Sequence, residues 1–177
     1  MSDHDQAALS YRLEAPMRWL AVAGFEPGDI EHAGEVNLRA LSQIAQFEER
    51  TPPIEQPTPQ DVEIQRLHAK LDLLLSAVSE LAPHFLKRPA RVGLQMFWDH
   101  LRWPRAESTA DAGTLGWIEI YLHPIVQQPL RLPARMLDGD AAFAEAEFLP
   151  MADAAQQALE RHVFQQHRRA IAAARRS

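Results

Sequence analysis

Residues 61–81 read DVEIQRLHAKLDLLLSAVSEL, and in them Ile64, Leu67, Leu71, Leu74, Val78 and Leu81 recur at alternating spacings of three and four. This is a heptad seam with Ile64, Leu71 and Val78 at a and Leu67, Leu74 and Leu81 at d. A stripe of period 3.5 stays in contact only with a matching stripe on another under-wound helix. The competing reading is an amphipathic helix lying on a globular core, which carries a wider apolar arc. The flanking positions favour association. Early e and g positions are polar (Glu63, His68, Lys70), but later ones are Leu75, Ala77 and Ala82, with Leu73 at c. A two-stranded coil leaves these in water, and exposing Leu73 and Leu75 forfeits roughly 1.5–3 kcal/mol each. A bundle of more than two strands buries them. Ile or Val at a with Leu at d favours parallel dimers, so the heptads alone leave dimer and tetramer open.

A chain of 177 residues holds one domain with a real core, and its net charge of −6 gives no case for nucleic acid. Absence of cysteine excludes disulfides and thiol chemistry. The first residues, MSDHDQAALSYRLEA, have neither the basic flank nor the apolar run of a signal peptide, and no 18 apolar residues run together. The expectation is a soluble cytoplasmic protein without a membrane span.

Outward from the heptads, residues 51–59 (TPPIEQPTP) carry four prolines and read as an extended connector. Thr58 or Gln60 opens the heptad helix, and Pro83 closes or kinks it. Residues 30–48 form a helix with two apolar stripes, Val36/Ala40/Ile44/Phe47 and Leu38/Leu41/Ala45, so it is expected to be packed on two sides, with Asp29 as its cap. Before it, residues 9–22 alternate through Tyr11, Leu13 and Ala15 as a short strand that Pro16 ends or confines to an edge. After residue 88 the period changes to two. Val92, Leu94 and Met96, then Leu101 and Trp103, then Ile118, Ile120 and Leu122, then Leu130, Leu132, Ala134 and Met136 make successive strand faces, followed by residues 143–149. Residues 153–176 form a closing helix that docks through Ala155, Leu159 and Val163. The class is α+β: an antiparallel barrel or sandwich interrupted by a helical insertion at residues 30–83, with a C-terminal helix, all within a single domain spanning residues 1–177.

No nucleophile elbow, metal-protease helix, phosphate loop or dinucleotide fingerprint is present, which points away from an enzyme. The eight histidines do not cluster. His162 and His167 are five apart and point differently on a helix, so neither metal nor cofactor is expected. Glu145 and Glu147 share a strand face toward water. Two basic segments remain: the arginines of the last helix, read as a solvated face, and Lys87-Arg88-Pro-Ala-Arg91, placed just before a strand where arginine forks could meet phosphate.

Residues 113–134, with the core GWIEIYLHP and PLRLPA, and the ending LERHVFQQHRRAIAAARR resemble the atypical, tetrameric PilZ domains of bacterial cyclic di-GMP signalling. The resemblance covers essentially the whole chain. It implies a six-stranded β-barrel with a C-terminal helix, and a homotetramer joined by a parallel four-helix coiled coil of the heptad helices. The oligomerisation residues are then Ile64, Leu67, Leu71, Leu74, Leu75, Val78 and Leu81. Ligand-binding members carry RxxxR and [D/N]xSxxG segments. Lys87 and Arg91 match the spacing of the first, with Arg88 beside them. The second aligns with Gly93, Gln95 and Trp98, where the acid or amide, the serine and the glycine are all absent. Asp111 and Gly116 match two of its positions but fall in a turn and lack the serine. The expectation is a non-enzymatic oligomeric adaptor that acts through a signalling protein partner and binds cyclic di-GMP weakly or not at all. The alternatives are a direct cyclic di-GMP receptor using Lys87–Arg91 and a structural coiled-coil assembly protein.

Overall fold

Alternation of apolar and polar residues produces six strands: β1 (Ser10–Ala21), β2 (Arg91–Phe97), β3 (His100–Pro104), β4 (Leu115–Ile120), β5 (Leu130–Met136) and β6 (Phe143–Phe148). They close an antiparallel barrel in the order β1-β2-β3-β6-β5-β4. Three helices complete it: α1 (Pro27–Glu48), α2 (Pro59–Phe85) and α3 (Asp153–Ala174). The structure is a computed structural model and describes residues 9–49, 58–85, 88–108 and 110–175, the side chains of 79–85 excepted. Most of the proline-rich connector, Lys87 and the Leu81 side chain therefore lie outside the described residues.

Inward positions of every strand fill the barrel. Met96, Leu101, Trp103, Ile118, Ile120 and Leu130 are all within 1 % of full burial. One expectation is corrected here. β1 is neither short nor an edge, because it runs straight through Pro16, pairing with β2 up to Pro16↔Arg91 and with β4 from Met17↔Ile120 onward. Met17 N–H donates to Ala90 O at 3.2 Å, and Tyr121 N–H donates to Pro16 O at 3.0 Å. Odd residues of β1 thus face β2 and even ones face β4. Pro16 is the first residue facing β4, so its missing N–H removes only the terminal rung of that ladder. Pro133 in β5 repeats the device, accepting from Leu149 N–H at 2.7 Å where the β5–β6 ladder ends. Gly116 is required by packing: a Cβ there would lie 2.4 Å from the Trp19 indole.

α1 starts earlier than expected, with Pro27 at its first position and Glu26 as N-cap, so Asp29 sits in the first turn and is not the cap. Within the chain it is packed on one face only. Ala33, Asn37, Ala40, Leu41 and Ile44 are buried, while Leu38 and Phe47 remain exposed. Of the second apolar stripe Leu41 is buried, while Leu38 and Ala45 stay exposed; Phe47, from the first stripe, stacks on the His123 ring at 5.4 Å. α2 is capped by Thr58, whose hydroxyl accepts from Asp61 N–H at 3.3 Å while the Asp61 carboxylate accepts from Thr58 N–H at 2.8 Å. These bonds hold the Asp61 carboxyl below the usual carboxylate range. The helix continues past Pro83 to Phe85, so that proline does not close it. α3 docks through Ala155, Leu159 and Val163, the stripe read from the sequence, together with His162.

Asn37, which the sequence reading passed over, fixes α1 on the barrel. Its Nδ2 donates to Arg131 O and its Oδ1 accepts from Arg131 N–H, both at 2.8 Å. Arg131 faces the β6 side of β5, beyond the last β6 partner, so the amide continues the ladder by one rung. We expect Asn37→Ala to orphan both backbone groups and lower unfolding stability by about 2–4 kcal/mol in urea titrations. A loss under ~0.5 kcal/mol would show that water replaces the amide.

Candidate functional site

The basic segment lies where β1 changes partners. β2 begins opposite Pro16 and β4 ends opposite Met17, and the chain on either side of this parting carries Arg88 and Tyr121. The Arg88 guanidinium lies over the Tyr121 ring at 5.1 Å and donates to Pro124 O at 3.2 Å. Arg91 Nη2 donates to Glu14 O at 2.6 Å, and its Nε is 3.6 Å from the Glu14 carboxylate. Both guanidinium groups are thus already bound to the protein's own oxygens.

Arg91, Gly93 and Gln95 follow one another along the outer face of β2, with Val92, Leu94 and Met96 turned into the core. Gly93 is opposite Glu14. Gln95 is opposite Arg12 on one side and Arg102 on the other, and its Nε2 donates to Ser10 Oγ at 3.3 Å. Trp98 does not join this row. It sits in the β2–β3 turn, 43 % exposed, roughly 10 Å along the chain from Gln95. Asp111 and Gly116 are farther away: Gly116 is opposite Ala21, roughly 16 Å along β1 from Pro16, the partner of Arg91.

Strand register brings together residues that the linear sequence does not. Arg12, Gln95 and Arg102 form a cross-strand row beside an open groove of about 490 Å³, lined also by Gly93, Pro104 and Phe143. Arg102 is 3.3 Å from the Asp140 carboxylate and 3.5 Å from that of Glu145, and its guanidinium lies over the Phe143 ring at 5.0 Å. Alternation marked these side chains as outward, but only pairing shows that they are neighbours. A second row, Arg18–Glu119–Arg131, buries Glu119 between two cations, at 2.6 Å and 3.2 Å. Glu145 and Glu147 are not simply solvated, since Glu147 is 3.2 Å from Arg135.

The histidine reading also needs correction. His162 is 7 % exposed, its Nε2 3.0 Å from the Tyr11 hydroxyl, and His167 Nδ1 donates to Ser10 O. Although five apart on α3, both reach β1, because the start of that strand lies against the helix. The end of α1 joins the same cluster. Glu48 accepts from Gln166 at 2.6 Å and is 2.7 Å from Arg169, so that arginine is an ion-pair partner and not part of a solvated face. Burial raises the Tyr11 pKa, with Glu48 adding to it. Burial likewise lowers the His162 pKa to about 4, with Glu48 opposing the shift and Arg169 reinforcing it. The neutral imidazole is thus the native form, hydrogen-bonded through Nε2 to the Tyr11 hydroxyl, which in turn donates to Met96 Sδ at 3.3 Å.

That depression fixes a sign. Above pH 6.5 His162 is neutral in both states, and the stability from this neutral pair is fully present. As pH falls from 6.5 to about 4, the unfolded chain takes up a proton that the folded chain refuses, and stability drops by on the order of 3 kcal/mol. We expect His162→Gln, which keeps a neutral hydrogen-bonding partner for Tyr11, to show a smaller fall in urea midpoint between pH 7 and pH 4.5 than the natural protein. Equal falls would remove His162 from the acid response.

With this geometry in hand, comparison with known proteins is informative. Residues 38–176 match the family model tPilZ, described as an atypical PilZ domain, cyclic di-GMP receptor. Among solved structures the chain resembles a pathogenic protein from Xanthomonas campestris, described as a new tetrameric PilZ domain self-assembled via an unusual helical bundle. The TM-score is 0.64 at 25 % identity, covering 93 % of this chain and 91 % of that one. No curated protein matches.

Proposed function

The chain belongs to the atypical PilZ family, and from that membership we propose that it is a non-enzymatic, oligomeric adaptor that binds cyclic di-GMP weakly or not at all. The observation that carries the oligomer is α2. Leu67, Leu71 and Leu74 of the heptad stripe are 60 %, 53 % and 63 % exposed, Leu73 is 71 % exposed, and among the described residues the helix makes no extensive contact with its own barrel. Burying such a stripe against copies of itself recovers about 1 kcal/mol or more per leucine. The tetrameric assembly described for the Xanthomonas protein and the apolar positions Leu73 and Leu75 both support four parallel helices over two.

The weak-binding half of the proposal rests on Arg88 and Arg91. Turning either guanidinium away from its present position onto a phosphate releases the bond it already makes to Pro124 O or Glu14 O. Charge-assisted bonds of roughly 1.5–3 kcal/mol are then lost as similar ones form, and the net gain is small. The family's description favours the direct-receptor reading, which calorimetry separates from ours. We expect no saturable heat from cyclic di-GMP up to about 100 μM, whereas a Kd near 1 μM would establish the receptor instead.

The oligomer has its own test. Leu71→Glu and Leu74→Glu each place a carboxylate in every strand of the seam, at several kcal/mol per chain. Light scattering should report a tetramer for the natural protein and a monomer for both variants. Near-UV circular dichroism should be unchanged, since Trp103 and Trp117 are buried in the barrel and its outer layer. An unchanged mass in both variants would refute the coiled coil.

A further inference from the structure

The groove beside the Arg12–Gln95–Arg102 row coincides with a break in the barrel wall. β2 and β3 are paired only at Gln95↔Arg102 and Met96↔Leu101. The next inter-strand rung would join Gly93 to Pro104. Arg105 N–H donates to Ala142 O, just before β6, at 2.9 Å, so Pro104, one residue earlier, faces β2. Pro104 has no N–H to give, and the Gly93 carbonyl, which faces β3, lacks the donor that would complete this rung. Gly93 also has no side chain to cover the gap, and a Cβ built on it meets nothing within 4 Å. The groove therefore offers a backbone acceptor in its wall that is unpaired among the described residues, and the half-exposed Phe143 ring at one side.

Its charge is equally specific. Arg91 is held by Glu14, and Arg102 lies against Asp140 and Glu145. Arg12, across Gln95 from Arg102 on the same outer surface, is exposed and makes no ion pair or hydrogen bond among the described residues. A protein of net charge −6 thus presents a free cation beside an orphan acceptor and an apolar ring.

We propose that this groove is the adaptor's docking site for an extended, acidic segment of a partner protein. A carboxylate of the segment meets Arg12, a backbone N–H reaches Gly93 O, and an apolar side chain two residues away covers Phe143 and Pro104. Alternation of side chains along an extended peptide places the apolar and acidic groups at such spacings. The inference rests on the adaptor reading and names the chemistry of its partner.

A random peptide library displayed on phage, selected on the full-length oligomer, tests it. We expect selected sequences to combine Asp or Glu with an aromatic or β-branched residue at a spacing of two. A synthetic peptide of that consensus should bind at least tenfold more weakly to Arg12→Glu and to Gly93→Val, while cyclic di-GMP at 100 μM leaves its binding unchanged. Both substitutions fall on exposed strand positions with room for the new side chain. Circular dichroism and light scattering of each variant confirm fold and assembly before binding is read. Recovery of no peptide, of basic or helical sequences, or of peptides indifferent to both substitutions overturns the docking site. Displacement by cyclic di-GMP assigns the groove to the dinucleotide and overturns it too. The adaptor reading is judged separately by the calorimetric titration, so a failed groove with silent calorimetry leaves that reading standing.

Discussion

Barrel closure depends on β1 serving two ladders in succession. Six short strands cannot bury both sheet edges unless one strand reaches across, and β1 does so by giving its first half to β2 and its second half to β4. The change of partner falls at Pro16, the one place where a missing N–H costs a terminal rung and not a central one. Everything nearby follows from that handover. β2 and β4 part there, Arg88 and Tyr121 fill the parting, and Arg91 crosses back to Glu14. The same strand's start supplies Tyr11 and Ser10 to α3, so the closing helix is tied to the element that closes the sheet.

Because β1 and β2 are neighbours in the barrel, α1 and α2 are inserted into what would otherwise be a hairpin connection. The barrel is complete without them. α1 is retained by a single ladder-like contact through Asn37, by its small-residue face, and at its far end by Glu48 clamped between Gln166 and Arg169. Among the described residues α2 has no such attachment. Its apolar stripe is therefore available to other copies of the chain, which is the physical basis of the assembly proposed above.

The strands and their interior faces were largely legible in the sequence, because period-two runs such as Leu130, Leu132, Ala134 and Met136 permit only one buried face. The heptad helix was legible for the same reason, with period 3.5 in place of two. What misled was local chemistry overruled by register. Pro16 reads as a stop until the ladder it faces is known to end there, and Pro83 until α2 is seen to continue. The burial of His162 was not legible, because nothing in the sequence says that Tyr11 will lie opposite it. Asn37 gave no signal at all, since its role is to complete a rung whose absence appears only after β6 stops short. The candidate site was the least legible part. Arg12, Gln95 and Arg102 are distant in sequence and meet only through two strand pairings.

Assembly and docking are coupled in a way that neither feature shows alone. The groove is open and shallow, and one guanidinium, one carbonyl and one ring make a weak site in isolation. An oligomer of the proposed kind carries one such groove per chain, and its copies are held together by α2 rather than by the barrels. A partner with repeated acidic segments, or itself an oligomer, then engages a second groove as an intramolecular event. Avidity from such linkage reaches about 10²–10⁴ without any new contact, provided the spacing of the partner's segments matches that of the grooves. A weak groove on a stable bundle therefore discriminates by geometry as well as by charge: it binds multivalent partners more tightly than single acidic peptides. The exposed stripe of α2 and the modest chemistry of the groove are, on this argument, two requirements of one design, since a tighter single site would make the oligomer unnecessary for binding.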